Sequence, residues 1–266
     1  VDTSTLVDIS LPTLDDQQRA NYQTAVDIVR YIRGIEPPDV TISMGGEIGE
    51  VGTHNSTVPE LRAFMGGFER ALGERADRSM VGLSKISVQT GTAHGGVVLP
   101  DGSIAAVKLD LVALEELSKV AREEYHLAGA VQHGASTLPD NAFNNFPRVE
   151  AAEIHLATNF QNILYDHLPA ALRDRIYRWL DDNAKDERKA SDSDEQFYYK
   201  TRKKALGPFK RDLWDLPESV KRELASTYDR TFGFLLEQLR VSNTADIVAR
   251  TVRATAMHRA QGALAA

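Results

Sequence analysis

The sequence predicts an α/β fold built on a parallel sheet. Over residues 1–182, short apolar runs alternate with segments in which apolar residues recur at helical spacing. Such an alternation is typical of β-α-β units, in which each helix connects two parallel strands. The composition fits this class, because 42% of the 266 residues are hydrophobic and 26% are charged, as in an ordinary globular domain.

Four apolar runs have the length and composition of strands, and longer segments beside them have helical periodicity. We predict strands over residues 40–44, 85–89, 129–132 and 153–156, and helices over 14–33, 59–73, 111–125 and 158–182. The acidic pair Asp15-Asp16 and the Pro59-Glu60 pair fit the first turns of two helices. Val1 and Asp2 fit the end of a further strand, so five strand–helix units are expected.

The number of strands leaves two architectures open. A closed barrel of this type needs eight parallel strands, and five alone would leave open edges where barrel neighbours belong. The sheet is therefore either open and doubly wound, or the back part of a barrel. The start of the chain at Val1, beside the end of a strand, favours the second alternative.

The remainder of the chain is predicted to differ from the first 182 residues. Residues 183–215 are rich in Asp, Lys and Ser, which indicates a charged, mobile loop or linker. Residues 216–266 form a predicted helical extension, with helices over about 216–240 and 242–263. The first of these helices carries an apolar stripe that indicates a packing surface, within the chain or in a dimer: Leu224, Tyr228, Phe232, Leu235, Leu236 and Leu239.

Charge and composition exclude several classes of function. The net charge of −7 argues against a nucleic-acid partner, and no apolar run approaches the ~20 residues that span a bilayer. Since the chain has no cysteine, disulfides and thiolate metal sites are excluded. No secretory signal is recognisable, so a cytoplasmic location is expected. Because the first residue is Val1 rather than Met, a lost targeting segment stays an alternative.

Two histidines, each at the end of a predicted strand and each followed by glycine, indicate a ligand-binding site. They are His94 in the segment 91–96 and His133 in the segment 131–136. The carboxyl ends of parallel strands open onto one face, where ligands bind. With Glu47 from another strand end, these imidazoles suit a zinc-type site with an open position for substrate. The alternatives are a hydrogen-bonded structural role for each histidine and a solvated loop position for Glu47.

Small and hydroxyl residues near the same strand ends suit a phosphate. Gly95 and Gly134 leave backbone N–H groups free to approach a ligand, and Ser136 and Thr158 stand where helices begin. Arg202, in a basic run, is a further candidate for a phosphate contact, although such a run is more often a solvated face. His155 lies inside an apolar strand and has a structural alternative, that of a hydrogen-bonded core histidine.

At these motifs the chain resembles class II, metal-dependent fructose-bisphosphate aldolases and their tagatose-bisphosphate relatives. The segments 91–95 and 131–136 are similar to those carrying two of the family's zinc histidines, and 47–49 resembles its Glu-Leu-Gly. Residues 2–4 resemble the Asp-x-Ser that ends the fourth barrel strand, and 158–161 the Thr-Asp-x-Gln that follows the eighth. The resemblance covers about residues 1–167 and, more loosely, 197–211.

The resemblance implies a TIM (β/α)8 barrel, of which this chain would hold strands 4–8 with their helices, plus the C-terminal extension. It implies reversible aldol cleavage of a phosphorylated ketose to dihydroxyacetone phosphate and an aldehyde, in a homodimer or larger assembly. The cofactor would be Zn²⁺ or another divalent metal, with a monovalent cation as a further candidate. His94 and His133 would be metal ligands, and Glu47 an alternate ligand or a group that supports them.

Several positions depart from the family pattern. His155 stands where the family has a substrate-contacting asparagine, Ala157 replaces a frequently acidic residue, and Ala135 replaces a glycine of the phosphate loop. Glu50 is the nearby carboxylate left to transfer the proton, although it is not in register with the family's glutamates. The family's Asp-His pair, which includes a third zinc histidine, would precede this chain.

These departures keep two other functions open. One is a non-catalytic homologue that binds a sugar phosphate or supports a partner aldolase subunit. The other is a different metal-assisted reaction on the same scaffold, such as hydrolysis, since a fold does not fix a function.

Overall fold

We describe the protein from a computed structural model, which describes residues 1–49, 55–75, 80–92, 98–101, 103–105 and 109–253. Its centre is a four-stranded parallel sheet in the order β1-β2-β3-β4. The strands are β1 (Gly45–Glu47), β2 (Lys85–Val88), β3 (Ala130–Gln132) and β4 (Glu153–Ile154). The predicted α/β class with a parallel sheet is confirmed, and the strands of the described residues do not close into a barrel.

Nine α-helices lie in the described residues. They are α1 (Leu14–Ile35), α2 (Val58–Arg75), α3 (Leu111–Glu123), α4 (Thr158–His167), α5 (Ala170–Asn183), α6 (Asp194–Thr201), α7 (Lys210–Trp214), α8 (Glu218–Gln238) and α9 (Ala245–Thr251). None of these helices is long and apolar enough to cross a membrane.

The two faces of the sheet differ because side chains alternate along each strand. Ile86 and Val88 of β2 are buried in a core with Phe64 of α2 and Leu114 of α3. Lys85 and Ser87, the other two residues of β2, point to the opposite face and are not part of that core. One face is therefore covered by helices and apolar, whereas the other carries Lys85, Ser87 and Glu153 around the buried Val131. We call this second face the polar face.

The first strand lies a few residues later than predicted. Residues 40–44 have strand-like composition, but the ladder begins at Gly45, which pairs with Lys85. A Cβ added at Gly46 would lie 2.7 Å from Leu83 Cδ1 and 3.1 Å from Ile86 Cδ1, so a larger residue would displace core side chains. The N-terminal ammonium of Val1 donates a hydrogen bond to Gly45 O (2.7 Å), although Val1 and Asp2 are not in a strand.

The helix predicted over 158–182 is two helices. Helix α4 ends at His167 and α5 begins at Ala170, because Pro169 has no N–H to continue the first helix. Of the last predicted helix, over about 242–263, α9 covers Ala245–Thr251, and residues 254–266 lie outside the described residues.

The prediction of a loop over 183–215 is wrong for much of its length. It contains α6, which begins with a capping box between Ser193 and Gln196, and the short helix α7. Most of its charged side chains are exposed, and Arg202 is a buried exception. Its apolar side chains join residues of α4, α5 and α8 in a second core that we call the C-terminal cluster: Tyr165, Ile176, Leu180, Phe197, Phe209 and Leu224. The division of the chain at 182 and 215 stays a prediction.

The apolar stripe of α8 packs mainly within the chain. Leu224 is buried in the C-terminal cluster, and Leu235 is buried in the core beside the sheet, where Leu239 also packs. Phe232 stacks on Phe160 at 4.8 Å between ring centroids. Helix α8 therefore contacts both cores.

Arg202 holds the C-terminal cluster together. Its guanidinium lies between the rings of Tyr165 and Tyr199, 4.8 and 4.5 Å from their centroids, and donates to Asn162 Oδ1. The Tyr165 hydroxyl donates in turn to Arg202 O (2.8 Å), and burial raises the pKa of Tyr165 to about 12. Since Arg202 is only 8% exposed, its charge is stabilised mainly by these rings and by Asn162.

The contact between α1 and α2 yields a first prediction. A Cβ at Gly67 would lie 2.2 Å from Tyr22 Cε1, whereas a Cβ at Gly73 of the same helix meets nothing within 4 Å. We expect Gly67→Ala to lower the free energy of unfolding by about 1–3 kcal/mol, because Tyr22 must leave its place. The matched control Gly73→Ala should raise it by about 0.5–1 kcal/mol. Urea denaturation of both variants measures the difference, and equal effects would contradict the close packing.

The position of Arg202 yields a second prediction. Lysine has no planar guanidinium to stack between two rings, so Arg202→Lys should lower the free energy of unfolding by about 1–3 kcal/mol. The control Arg211→Lys changes a side chain that is 95% exposed, and it should alter stability by less than about 0.5 kcal/mol. If thermal denaturation gives the same midpoint for both variants, Arg202 does not stabilise the cluster.

Candidate functional site

A cavity of about 340 Å³ opens at the carboxyl ends of β1, β2 and β3. Its walls include side chains that the parallel register brings together from separate parts of the chain: Asp2, Glu47, Ser87, Gln89, Thr92 and His133. Ligands bind at this end of parallel sheets, so the cavity is the candidate site.

The imidazole of His133, directly after β3, contacts groups from both neighbouring strands. Its Nε2 lies 3.2 Å from Ser87 Oγ, and its Nδ1 lies 3.8 Å from Glu47 Oε1. About one fifth of each side chain of the Glu47–His133 pair is exposed, so the two face each other at the wall of the cavity. The structure therefore brings together two of the residues that the sequence predicts as metal ligands.

A buried polar network fixes the backbone at His133. Gln132 is fully buried; its side chain accepts a hydrogen bond from Thr90 Oγ1 and donates to Thr92 Oγ1 (2.9 Å). Thr92 Oγ1 donates in turn to His133 O (2.7 Å). Since buried polar groups are costly when left without partners, this closed network holds the end of β3 in one conformation.

The chain turns sharply after His133 to reach the predicted phosphate residues. Gly134 has φ = +67°, a left-handed conformation that glycine adopts at low cost, and Ala135 is buried at the start of a 3₁₀ turn. Ser136 Oγ then accepts hydrogen bonds from the backbone N–H groups of Ala157 (2.8 Å) and Thr158 (3.2 Å). Gly134, Ala135, Ser136 and Thr158 are thus brought together where α4 begins.

His155, directly after β4, is not a core residue, because about half of its side chain is exposed. Its ring stacks on that of His133, with 4.4 Å between centroids and 25° between planes. Its Nε2 donates to Glu153 Oε1 (2.6 Å), and the other oxygen of Glu153 pairs with Lys85 Nζ. Burial raises the pKa of Glu153, but the hydrogen bonds from Lys85 and His155 outweigh burial and leave the pKa below its usual value.

Asp2 stands at the other side of the cavity. Its Oδ1 accepts hydrogen bonds from the Ser4 hydroxyl (2.7 Å) and the Ser4 backbone N–H (3.0 Å). The hydrogen bond from the Ser4 hydroxyl lowers the pKa of Asp2, and the positive charge of the N-terminus lowers it further. A carboxylate, a second carboxylate at Glu47 and an imidazole therefore line one cavity.

Oxygen and nitrogen donors of this kind fit a divalent metal such as zinc, which takes His nitrogen and carboxylate oxygen. The fit is partial, because no group of three or more His, Asp or Glu side chains within the described ranges is close enough to hold an ion. Three predicted site residues, Glu50, His94 and Gly95, lie outside the described residues.

Arg202 is not brought to the cavity wall. Its guanidinium is held between two tyrosine rings of the C-terminal cluster, so the structure does not place it with the other phosphate residues. Conversely, Ser87, Gln89 and Thr92 line the cavity, and the sequence analysis missed all three. Alternation along β2, where Lys85, Ser87 and Gln89 flank the apolar Ile86 and Val88, was the signal for the first two.

Comparison with known proteins identifies the family of this chain. A sequence model of the family described as fructose-bisphosphate aldolase class-II matches residues 2–211. No curated protein sequence matches the chain.

A comparison with solved structures finds several matches. A fructose-bisphosphate aldolase from Campylobacter jejuni is 16% identical over 88% of this chain and 59% of its own, with a TM-score of 0.45. The YdjI aldolase from Escherichia coli K12 is 12% identical over 79% and 57%, with a TM-score of 0.36. A probable tagatose 6 phosphate kinase from Sinorhizobium meliloti 1021 is 15% identical over 86% and 66%, with a TM-score of 0.50.

This chain spans 57–66% of the length of those three structures. At 15% identity the structure with the TM-score of 0.50 supports the fold alone, whereas the family match extends over most of the chain. The chain belongs to the class II fructose-bisphosphate aldolase family.

Proposed function

We propose that this protein catalyses the reversible, metal-dependent aldol cleavage of a phosphorylated ketose, similar to fructose bisphosphate, to dihydroxyacetone phosphate and an aldehyde. The observation that carries the proposal is the pair Glu47 and His133, whose Oε1 and Nδ1 atoms are 3.8 Å apart at the wall of the strand-end cavity. Membership of the aldolase family makes a sugar phosphate the expected substrate class.

His133 and Glu47 would hold the metal, with His94 as a further ligand. A bound divalent cation supplies a Lewis acid that stabilises negative charge developing on the substrate oxygens. Ser87 Oγ, next to His133 Nε2, keeps the ring oriented so that Nδ1 faces Glu47. Such supporting hydrogen bonds fix the ring orientation of a ligating histidine.

The phosphate of the substrate would bind where α4 begins. Ser136 Oγ already accepts from the N–H groups of Ala157 and Thr158, so a phosphate oxygen could take these N–H groups while the Ser136 hydroxyl donates to it. The backbone N–H groups of Gly134 and Gly95 are further donors in this proposal, and Ala135 lies in the turn between Gly134 and Ser136. Arg202 stays a predicted contact from the sequence, without support from its buried position.

Proton transfer needs a carboxylate or similar group near the reacting carbon. We assign it to Glu50, which lies three residues after Glu47. The family resemblance also favours Zn²⁺ as the native metal, a homodimer or larger assembly, and a cytoplasmic role in carbohydrate metabolism.

One observation favours a second candidate, a non-catalytic homologue that binds a sugar phosphate. The imidazole of His155 replaces an amide of the family pattern and is engaged with Glu153 and stacked on His133. In that case the protein would bind the sugar phosphate without cleaving it.

The metal-dependent reaction yields a third prediction. Removal of the metal by a chelator, or the substitution His133→Asn, should reduce kcat/KM for fructose 1,6-bisphosphate cleavage by at least about a hundredfold, because a ligand nitrogen is lost. The control His126→Asn changes an exposed histidine at φ = +54°, a conformation that asparagine tolerates. It should keep its activity. Cleavage that survives both the chelator and His133→Asn would overturn the aldolase proposal.

The phosphate site yields a fourth prediction. Ser136→Ala removes a hydroxyl that would donate to the phosphate, so KM should rise about tenfold, as for the loss of one charge-assisted hydrogen bond. The inhibition constant of inorganic phosphate should rise in parallel. The control Ser219→Ala, at an exposed position of α8, should leave both constants unchanged. An unchanged phosphate inhibition constant in Ser136→Ala would place the phosphate elsewhere.

A further inference from the structure

The polar face of the sheet carries a charge cluster beside the cavity. Lys85 projects from β2 and Glu153 from β4, and these two strands are separated by β3. The carboxylate of Glu153 uses one oxygen for Lys85 Nζ and the other for His155 Nε2 (2.6 Å). Both oxygens of the carboxylate are therefore engaged, which fixes its rotation.

The imidazole of His155 is fixed in two ways. The stack on His133 sets the plane of the ring, and the hydrogen bond to Glu153 sets which edge faces the sheet. An ionised carboxylate only accepts hydrogen bonds, so Nε2 carries the hydrogen. In the neutral ring Nδ1 then carries the lone pair and lies on the edge away from Glu153.

We propose that Lys85 and Glu153 are positioning residues that hold His155 Nδ1 as a hydrogen-bond acceptor for a hydroxyl group of the sugar phosphate. This inference rests on the proposed function and extends it to substrate specificity. His155 stacks on His133, which lines the cavity, so its half-exposed ring stands next to the cavity wall. A sugar with a hydroxyl group at this place would be bound better than the same sugar without it.

The charge of Lys85 has its own consequence. A lone carboxylate near the site would repel a phosphorylated sugar, since like charges at short distance cost free energy. The ion pair with Lys85 cancels that charge and keeps the hydrogen bond to His155. Lys85→Met should therefore raise KM for an anionic sugar, and high ionic strength should reduce that effect.

The test compares Glu153→Leu, His155→Phe and the double variant, with Zn²⁺ and fructose 1,6-bisphosphate. Phenylalanine keeps an aromatic ring to stack on His133 but has no acceptor. Each single variant should raise KM about tenfold with kcat changed by less than about twofold, and the double variant should be no worse than either. The control Glu123→Leu removes an exposed carboxylate of α3 and should change neither constant.

A second readout does not depend on turnover. In the unaltered protein the ring nitrogens of His155 should give a ¹⁵N signal typical of a protonated Nε2 beside a bare Nδ1, and that signal should be lost in Glu153→Leu. Assignment comes from its absence in His155→Phe. If the signal persists in Glu153→Leu, or if KM effects of the two single variants add in the double variant, the positioning role is wrong.

Failure of the proposed function is separable from failure of this inference. If the unaltered protein cleaves no fructose 1,6-bisphosphate, the aldolase proposal fails, and the dissociation constant of the same sugar, measured by calorimetry, replaces KM. A tenfold weaker binding in both single variants would still support the positioning of His155, whereas unchanged binding would overturn it.

Discussion

The parallel pairing of four short strands is the constraint on which the rest of the structure depends. In register, Glu47 of β1 stands beside Ser87 of β2, and the residues that follow β3 and β4 are His133 and His155. Groups that are far apart in the chain thereby line up along one edge, where Glu47 faces His133 and His133 stacks on His155. The side-chain period of two separates them from the apolar residues that bind the helices. A shift of one residue in any strand would turn its polar group into the core, which is why the register is strongly specified.

The predictable parts of this fold are those in which local pattern and tertiary environment agree. Residues 85–88 read as a strand because β-branched residues alternate with polar ones, and the helices α1, α2 and α3 have clear apolar stripes. Strand β1 could not be located from propensity, because two of its three residues are glycines chosen for close packing. Helix α6 was missed because its few apolar residues are flanked by charged ones, so the segment has the composition of a loop.

The candidate site was predictable to a similar degree. Strand ends rich in His, Gly and Ser identify His133, Gly134 and Ser136 without knowledge of the fold. The hydrogen-bond partners of these residues could not be predicted in this way. Ser87 Oγ reaches His133, and Gln132 reaches Thr92, only because the sheet brings separate parts of the chain together. For Arg202 the sequence suggested a phosphate contact that the structure does not support. It belongs to a basic run in the sequence, but the packing of Tyr165 and Tyr199 buries it.

Interactions on the polar face of the sheet also fix the positions of the site residues. In closed barrels the interior is filled by layers of bulky apolar side chains, which order the strands by packing. At Lys85, Ser87 and Glu153 the corresponding face carries charges and a hydroxyl, so order here comes from ion pairs and hydrogen bonds. Such interactions are directional, and each fixes one rotamer of its partner. The same bonds that order the face therefore orient His133 and His155, so that local stability and the geometry of the site cannot be changed independently.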